Sequence, residues 1–145
     1  MKYIILLSVV LLSWQHIAAA DEIETRYGNL ATNDDNFLMF EEKIVKPEIQ
    51  GNNSLSFLKV FKIGEADVVL VQNNGGSACP ALFHFVIVTS TSVKQTPEFG
   101  SCSPVVEFKK NGSKLLVSMP KMRGKGRVQY LFEDGVLKEN GKIIK

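Results

Sequence analysis

The 145 residues are 45% hydrophobic and carry 17 basic against 15 acidic side chains, a formal net charge of +2. That length suits one domain with room for a substantial core. So even a balance excludes the strongly basic footprint that nucleic-acid phosphates require.

Met1-Lys2 is a minimal positive start, and Tyr3 to Trp14 is an apolar run of twelve residues. Gln15-His16 then leads to Ile17-Ala18-Ala19-Ala20, with Ala18 and Ala20 spaced as in an A-x-A cleavage site before Asp21. The run falls short of the roughly 20 apolar residues that a spanning helix needs. Residues 1–20 therefore read as a signal peptide cut between Ala20 and Asp21, and 21–145 as a single exported domain. Its short length and Ala-Ala-Ala end are of bacterial type, which predicts a periplasmic or secreted protein with no transmembrane segment in the mature chain. Asp21, not a Cys, directly follows the cleavage point, so a lipid anchor is not expected.

Period-two alternation and turn chemistry dominate the rest. Tyr27 to Thr32 and Phe37 to Phe40 flank the turn cluster Asn33-Asp34-Asp35-Asn36. Leu55 to Ile63 predicts a strand with Leu55, Phe57 and Phe61 on one face, interrupted by Lys59. Gly64 to Asp67 turns the chain into Val68-Val69-Leu70-Val71, a continuous apolar run of the kind buried on both sides. After Asn73-Asn74-Gly75-Gly76, Ala81 to Thr89 predicts a central strand. Phe83, Phe85 and Ile87 lie on one of its faces, and Leu82, His84, Val86 and Val88 on the other. Val105 to Lys109 pairs with Lys114 to Met119 across an Asn-Gly turn. Val128 to Phe132, Val136 to Glu139 and Lys142 to Lys145 follow across two further turns. Leu38–Lys46 echoes Leu137–Lys145 at four of nine positions, which shared hairpin grammar can produce. Pro47, Pro97, Pro104 and Pro120 fall between the runs. The pattern predicts an all-β, antiparallel sandwich or barrel of roughly 8–10 short strands.

Cys79 and Cys102 are the only cysteines. In an oxidising compartment they have one intramolecular solution, a disulfide closing a 24-residue loop. A Cys79 nucleophile would need a base, and the mature chain holds one histidine, His84, at an odd offset along a strand. The turn-rich settings of both cysteines favour the staple. Ser77 is not in a G-x-S-x-G elbow, and His84 on an apolar strand reads as a core or boundary residue. One histidine and two paired cysteines make no zinc set, and Asp34-Asp35 lacks calcium-loop spacing, so neither metal nor cofactor is expected. Glu41, Glu42, Glu98 and Glu107 are candidate carboxylates that the sequence does nothing to pair. Asn52 and Asn111 begin sequons that read as turn chemistry.

The segment richest in chemistry is Pro120-Lys121-Met122-Arg123-Gly124-Lys125-Gly126-Arg127. Its four cations suit either a solvated loop that keeps strand edges apart or a contact surface for an acidic protein or anionic envelope partner. Export, one β domain and one disulfide resemble, in general build, small periplasmic inhibitor and immunity proteins, a likeness that assigns no residues. The leading expectation is a non-enzymatic exported binding protein that uses Lys121, Arg123, Lys125 and Arg127. The alternatives are a small hydrolase or thiol enzyme using Cys79 or His84, and a ligand or glycan module with Phe83, Phe85, Tyr130 and Phe132 lining a groove. The basic surplus of 94–145 and the acidic surplus of 21–67 give a dipolar field only if the fold keeps them apart.

Overall fold

The computed structural model describes residues 22–145; the expected signal peptide and its expected Ala20/Asp21 cleavage point lie outside the described residues. The described chain is all-β and antiparallel, with no helix, and it forms three successive sheets. The N-terminal sheet is a meander of β1 (Glu22–Thr25), β2 (Gly28–Thr32), β3 (Leu38–Phe40) and β4 (Lys43–Ile44). The middle sheet holds β5 (Ser54–Ile63), β6 (Ala66–Asn74) and β7 (Ala81–Val88), with β8 (Val93–Gln95) and β9 (Phe99–Cys102) both pairing with β7. The C-terminal sheet is a second meander of β10 (Glu107–Asn111), β11 (Lys114–Pro120), β12 (Arg127–Glu133), β13 (Val136–Glu139) and β14 (Lys142–Ile143). The count of fourteen exceeds the predicted number because several strands have only two or three residues.

The middle sheet is the central layer. Val68 and Leu70 of β6 point into one core with Phe83, Phe85 and Phe99, against Leu115, Val117, Met119, Tyr130, Phe132 and Leu137 of the C-terminal sheet. Val69 and Val71 point the opposite way, with Val86 and Val88, against Leu30, Leu38, Val45 and Ile49 on the N-terminal side. Both faces of β6 and β7 are therefore dry, which is why Val68–Val71 carries no polar residue. Strand β5 departs from its expected facing. A register shift between Phe57 and Lys59 inserts Leu58 as a bulge, so Leu55 and Phe57 enter the N-terminal core while Phe61 enters the other. The bulge and the exposed Lys59 and Lys62 also blunt a ten-residue edge strand.

The echo between the two outer sheets extends beyond sequence. Each ends in a two-residue turn with left-handed backbone, Glu41-Glu42 (φ 45 and 63) and Asn140-Gly141 (φ 45 and 84). In each, the first turn residue donates its N–H to the strand two places back, Glu41 to the Asn29 carbonyl (3.1 Å) and Asn140 to the Gln129 carbonyl (2.8 Å). Its side chain then accepts the return bond, Glu41 Oε1 from Asn29 N–H at 2.6 Å and Asn140 Oδ1 from Gln129 N–H at 3.1 Å. Val45 N–H to the Leu38 carbonyl (3.0 Å) and Ile144 N–H to the Leu137 carbonyl (2.9 Å) complete the match.

A polar clamp fixes the N-terminal sheet to the middle one. Arg26, in the β1–β2 turn, donates its N–H to Asp67 Oδ2 at 2.7 Å and its Nε–H to Oδ1 at 2.8 Å. Its Nη2 reaches the Gly64 and Ala66 carbonyls, and the Tyr27 hydroxyl donates to the Glu65 carbonyl. Asp67 is fully buried, and Arg26 is the cation that pairs with it among the described residues. Arg26→Ala should lower the melting temperature more than Asp67→Ala, because it leaves a buried carboxylate with one backbone N–H as its partner, whereas Asp67→Ala frees that N–H and a partly exposed guanidinium that can turn to water. Thermal unfolding followed by circular dichroism checks the order, and the reverse order would remove the clamp from the account.

Candidate functional site

One end of the molecule brings together the disulfide, the β6–β7 loop and the basic loop. Cys79, in the β6–β7 loop, is disulfide-bonded to Cys102 at the end of β9, with their Cα atoms 4.7 Å apart. Gly75 donates its N–H to the Pro80 carbonyl at 2.9 Å. The loop folds so tightly there that a Cβ on Gly75 would run into the Cys79 carbonyl oxygen. Cys102 itself holds a left-handed conformation (φ 66), and its neighbour Ser101 donates its hydroxyl to the Pro120 carbonyl at 2.7 Å. The staple thus reaches the base of the basic loop. Lys121 N–H closes that loop on the Gly126 carbonyl at 3.0 Å, with Gly124 and Gly126 both at positive φ.

The four predicted cations do not behave alike. Lys121, Arg123 and Lys125 are exposed together with Met122, and among the described residues none of the three cations forms an ion pair. Arg127 instead begins β12 and is held by its own sheet. Its Nε–H donates to Ser118 Oγ at 2.7 Å, and its Nη2 to the Ser118 carbonyl at 3.0 Å, with Glu107 3.2 Å away. Arg127 therefore ties β12 to β11 and β10, and the loop presents three cations.

His84 is 8% exposed, and both ring nitrogens face oxygen acceptors of the fold. Nδ1 lies 3.2 Å from the Thr96 carbonyl and Nε2 3.3 Å from Glu98 Oε2, while Glu98 also accepts a bond from Asn73 Nδ2 at 2.9 Å. This pins the β8–β9 connection to β7, and Thr96 Oγ1 adds a bond from Phe85 N–H at 3.0 Å. Neither nitrogen is turned to Ser77, which sits exposed in the β6–β7 loop, and the Cys79 sulfur is in the disulfide. Of the candidate carboxylates, Glu41 and Glu42 lie on the N-terminal sheet, Glu98 beside the middle sheet and Glu107 on the C-terminal one. Among the described residues no two from different layers flank a cleft, whereas Glu41 and Glu42 line one open hollow of about 620 Å³ on the N-terminal sheet together with Glu22. Phe83, Phe85, Tyr130 and Phe132 are sealed in the core, with Phe85 and Phe132 centroids 5.1 Å apart, so they line no groove. Burial, helped by a hydrogen bond to Glu139 at 2.8 Å, pushes the Tyr130 phenol well above its ordinary range and keeps it protonated. No group of three or more potential metal-ligating side chains occurs among the described residues. No helix among them is long and apolar enough to cross a membrane.

Layering sorts the charge. Residues 22–50 carry seven acids and three bases, 51–104 three of each, and 105–145 four acids and ten bases, giving −4, 0 and +6. Stacked sheets lie about 10 Å apart, which puts the outer two about 20 Å apart. The screening length at physiological salt is about 8 Å, so each outer sheet presents its own sign to solvent. Charge is segregated by layer, acidic in the N-terminal sheet and basic in the C-terminal one, where Lys121, Arg123 and Lys125 of the β11–β12 loop supply half of the surplus. Sequence reading located the basic loop but missed the outer face of the C-terminal sheet; its signal was the outward alternation opposite Leu115, Val117 and Met119.

No protein family, curated protein or solved structure matches this chain.

Proposed function

We propose that the chain is an exported, non-enzymatic binding protein of the bacterial envelope, acting in the periplasm as an inhibitor or immunity-type partner of an acidic envelope protein. The observation that carries this reading is the Lys121–Gly126 loop, with three exposed cations and an exposed Met122 on a stapled, hydrogen-bonded base. Like charges so close together repel, and an acidic partner relieves that repulsion while steering the encounter. A rigid base limits the ordering that binding requires. The enzyme reading is weaker, because His84 is engaged on both sides and Cys79 is bonded.

The test compares tagged mature protein with the Lys121→Glu, Arg123→Glu, Lys125→Glu variant as baits in envelope extract. One protein should be enriched by the native bait and lost with the reversed one. Its affinity for the native protein should fall steeply with salt, and that slope should flatten in the variant. Equal capture by both baits removes the loop from the mechanism.

A further inference from the structure

We propose that the outer face of the C-terminal sheet is a docking surface for an anionic phospholipid bilayer, seating the protein flat with its acidic sheet turned away. This goes beyond the loop-mediated partnership above and uses a different surface, the broad side of the sheet instead of its stapled end.

Strand register builds the face. Lys109 pairs with Leu116, Leu116 with Leu131, Leu131 with Lys138, and Lys138 with Ile143, so one row crosses all five strands. Alternation turns this row outward, since Leu115, Val117, Tyr130, Phe132 and Leu137 fill the core beneath. Of the large apolar side chains left exposed among the described residues, Leu116, Val136 and Ile143 share this outward parity, and Ile143 is the most open, at 61%. By the same register Lys109, Lys114, Arg127 and Lys138 lie on this face with Glu107 and Glu133, a net +2, and both carboxylates are held in ion pairs with Arg127 and Lys114.

Charge and relief select the occupant. A protein partner of matching size is recognised through aromatic or arginine anchors clustered in a desolvated centre. This face has no such desolvated cluster: Leu116 and Leu131 sit side by side between Lys109 and Lys138, and its depression is a shallow hollow lined by Glu107, Phe108, Lys109, Leu116, Ser118 and Gln129. A fluid anionic surface needs no matching relief. It accepts scattered apolar side chains at headgroup depth and attracts each cation near it. The −4 sheet on the far side adds a torque that turns the basic face inward, so lipid attraction and orientation have one source. In that pose the Lys121–Gly126 loop projects sideways along the membrane plane.

Co-sedimentation of the mature protein with vesicles tests this. Mixed phosphatidylethanolamine and phosphatidylglycerol vesicles should retain it at least about tenfold better than phosphatidylcholine vesicles, with the preference lost at high salt. Lys109→Glu with Lys138→Glu should reduce partitioning onto the anionic vesicles by about tenfold or more, since four units of charge change at the contact. Ile143→Ser should weaken it at unchanged charge. The Lys121→Glu, Arg123→Glu, Lys125→Glu variant should lose less than the two-lysine reversal, although it reverses one more charge. Circular dichroism confirms that each exposed-site variant is folded. No preference for anionic vesicles, or a greater loss from the loop variant than from the face variant, would overturn the proposal. A failed extract capture with intact vesicle binding would instead count against the loop partnership alone.

Discussion

Phe85→Ala should destabilise the protein by about 3–5 kcal/mol, the range for removing a large aromatic from a closed core. Phe85 has no exposed surface, and its ring stacks on Phe99 at 5.2 Å and packs against Phe132 at 5.1 Å. Phe99 belongs to the middle sheet and Phe132 to the C-terminal one, so the ring bridges the layers. Neither strand can collapse into the space it leaves, because β7 is hydrogen-bonded to β6 on one side and to β8 and β9 on the other. Val86→Ala, one residue along, opens the opposite core and removes far less volume, so it should cost less. Urea unfolding by fluorescence and circular dichroism reads both. The two probes should report one transition in each variant, because β6 and β7 line both cores and neither core can melt alone. A loss below about 1 kcal/mol for Phe85→Ala would mean that the outer sheet is not packed on the middle one as described.

Much of this arrangement is legible in local sequence. The Asn111-Gly112 and Asn140-Gly141 turns fix their hairpins, and alternation from Leu115 to Phe132 assigns inner and outer residues without reference to the rest of the chain. The run Val68–Val71 announces a strand dry on both sides. What covers each side is not local information. It depends on the chain crossing from β4 to β5 and from β9 to β10, where Pro47 and Pro104 mark a break but not which face the next sheet covers. The Leu58 bulge is hidden for a related reason. Lys59 looks like an interruption of one face, whereas the inserted residue moves Phe61 to the other. Among the site residues, the loop cations can be read from composition, but Arg127 cannot be told from Lys125 until Ser118 is brought beside it by pairing across the hairpin. The buried Asp67 is similar, since its partner Arg26 lies 41 positions away. The charge segregation was visible as two segments. Only the layering shows that they occupy opposite outer layers.

Replacing both Cys79 and Cys102 by alanine should lower stability by roughly 3 kcal/mol, the entropy that a closed loop of 24 residues removes from the unfolded chain. That is a large fraction of the net stability of a domain this size, which lies at about 5–15 kcal/mol. The native fold itself needs little from the bond. β9 remains paired to β7 through Phe83 and Phe99, and the Gly75–Pro80 hydrogen bond still closes the β6–β7 loop. The variant should therefore fold, and its denaturant midpoint should match that of native protein treated with reductant. Its local effect should concentrate at the stapled end. Cys102 pairs with Ala81, and Ser101 beside it carries the hydrogen bond to Pro120, so release of the crosslink loosens the base of the Lys121–Gly126 loop. Hydrogen exchange should rise at residues 75–80, 100–103 and 120–127, and stay near native at Leu115–Val117 and Tyr130–Phe132. Capture of the protein partner should weaken in proportion, because a loosened loop must be ordered at the moment of binding. Vesicle partitioning should hold, since the Lys109-to-Ile143 row rests on strand register that the crosslink does not touch. A variant that loses both activities equally would place the loop and the sheet face in one contact surface; one that loses neither would leave the staple with a role in stability alone.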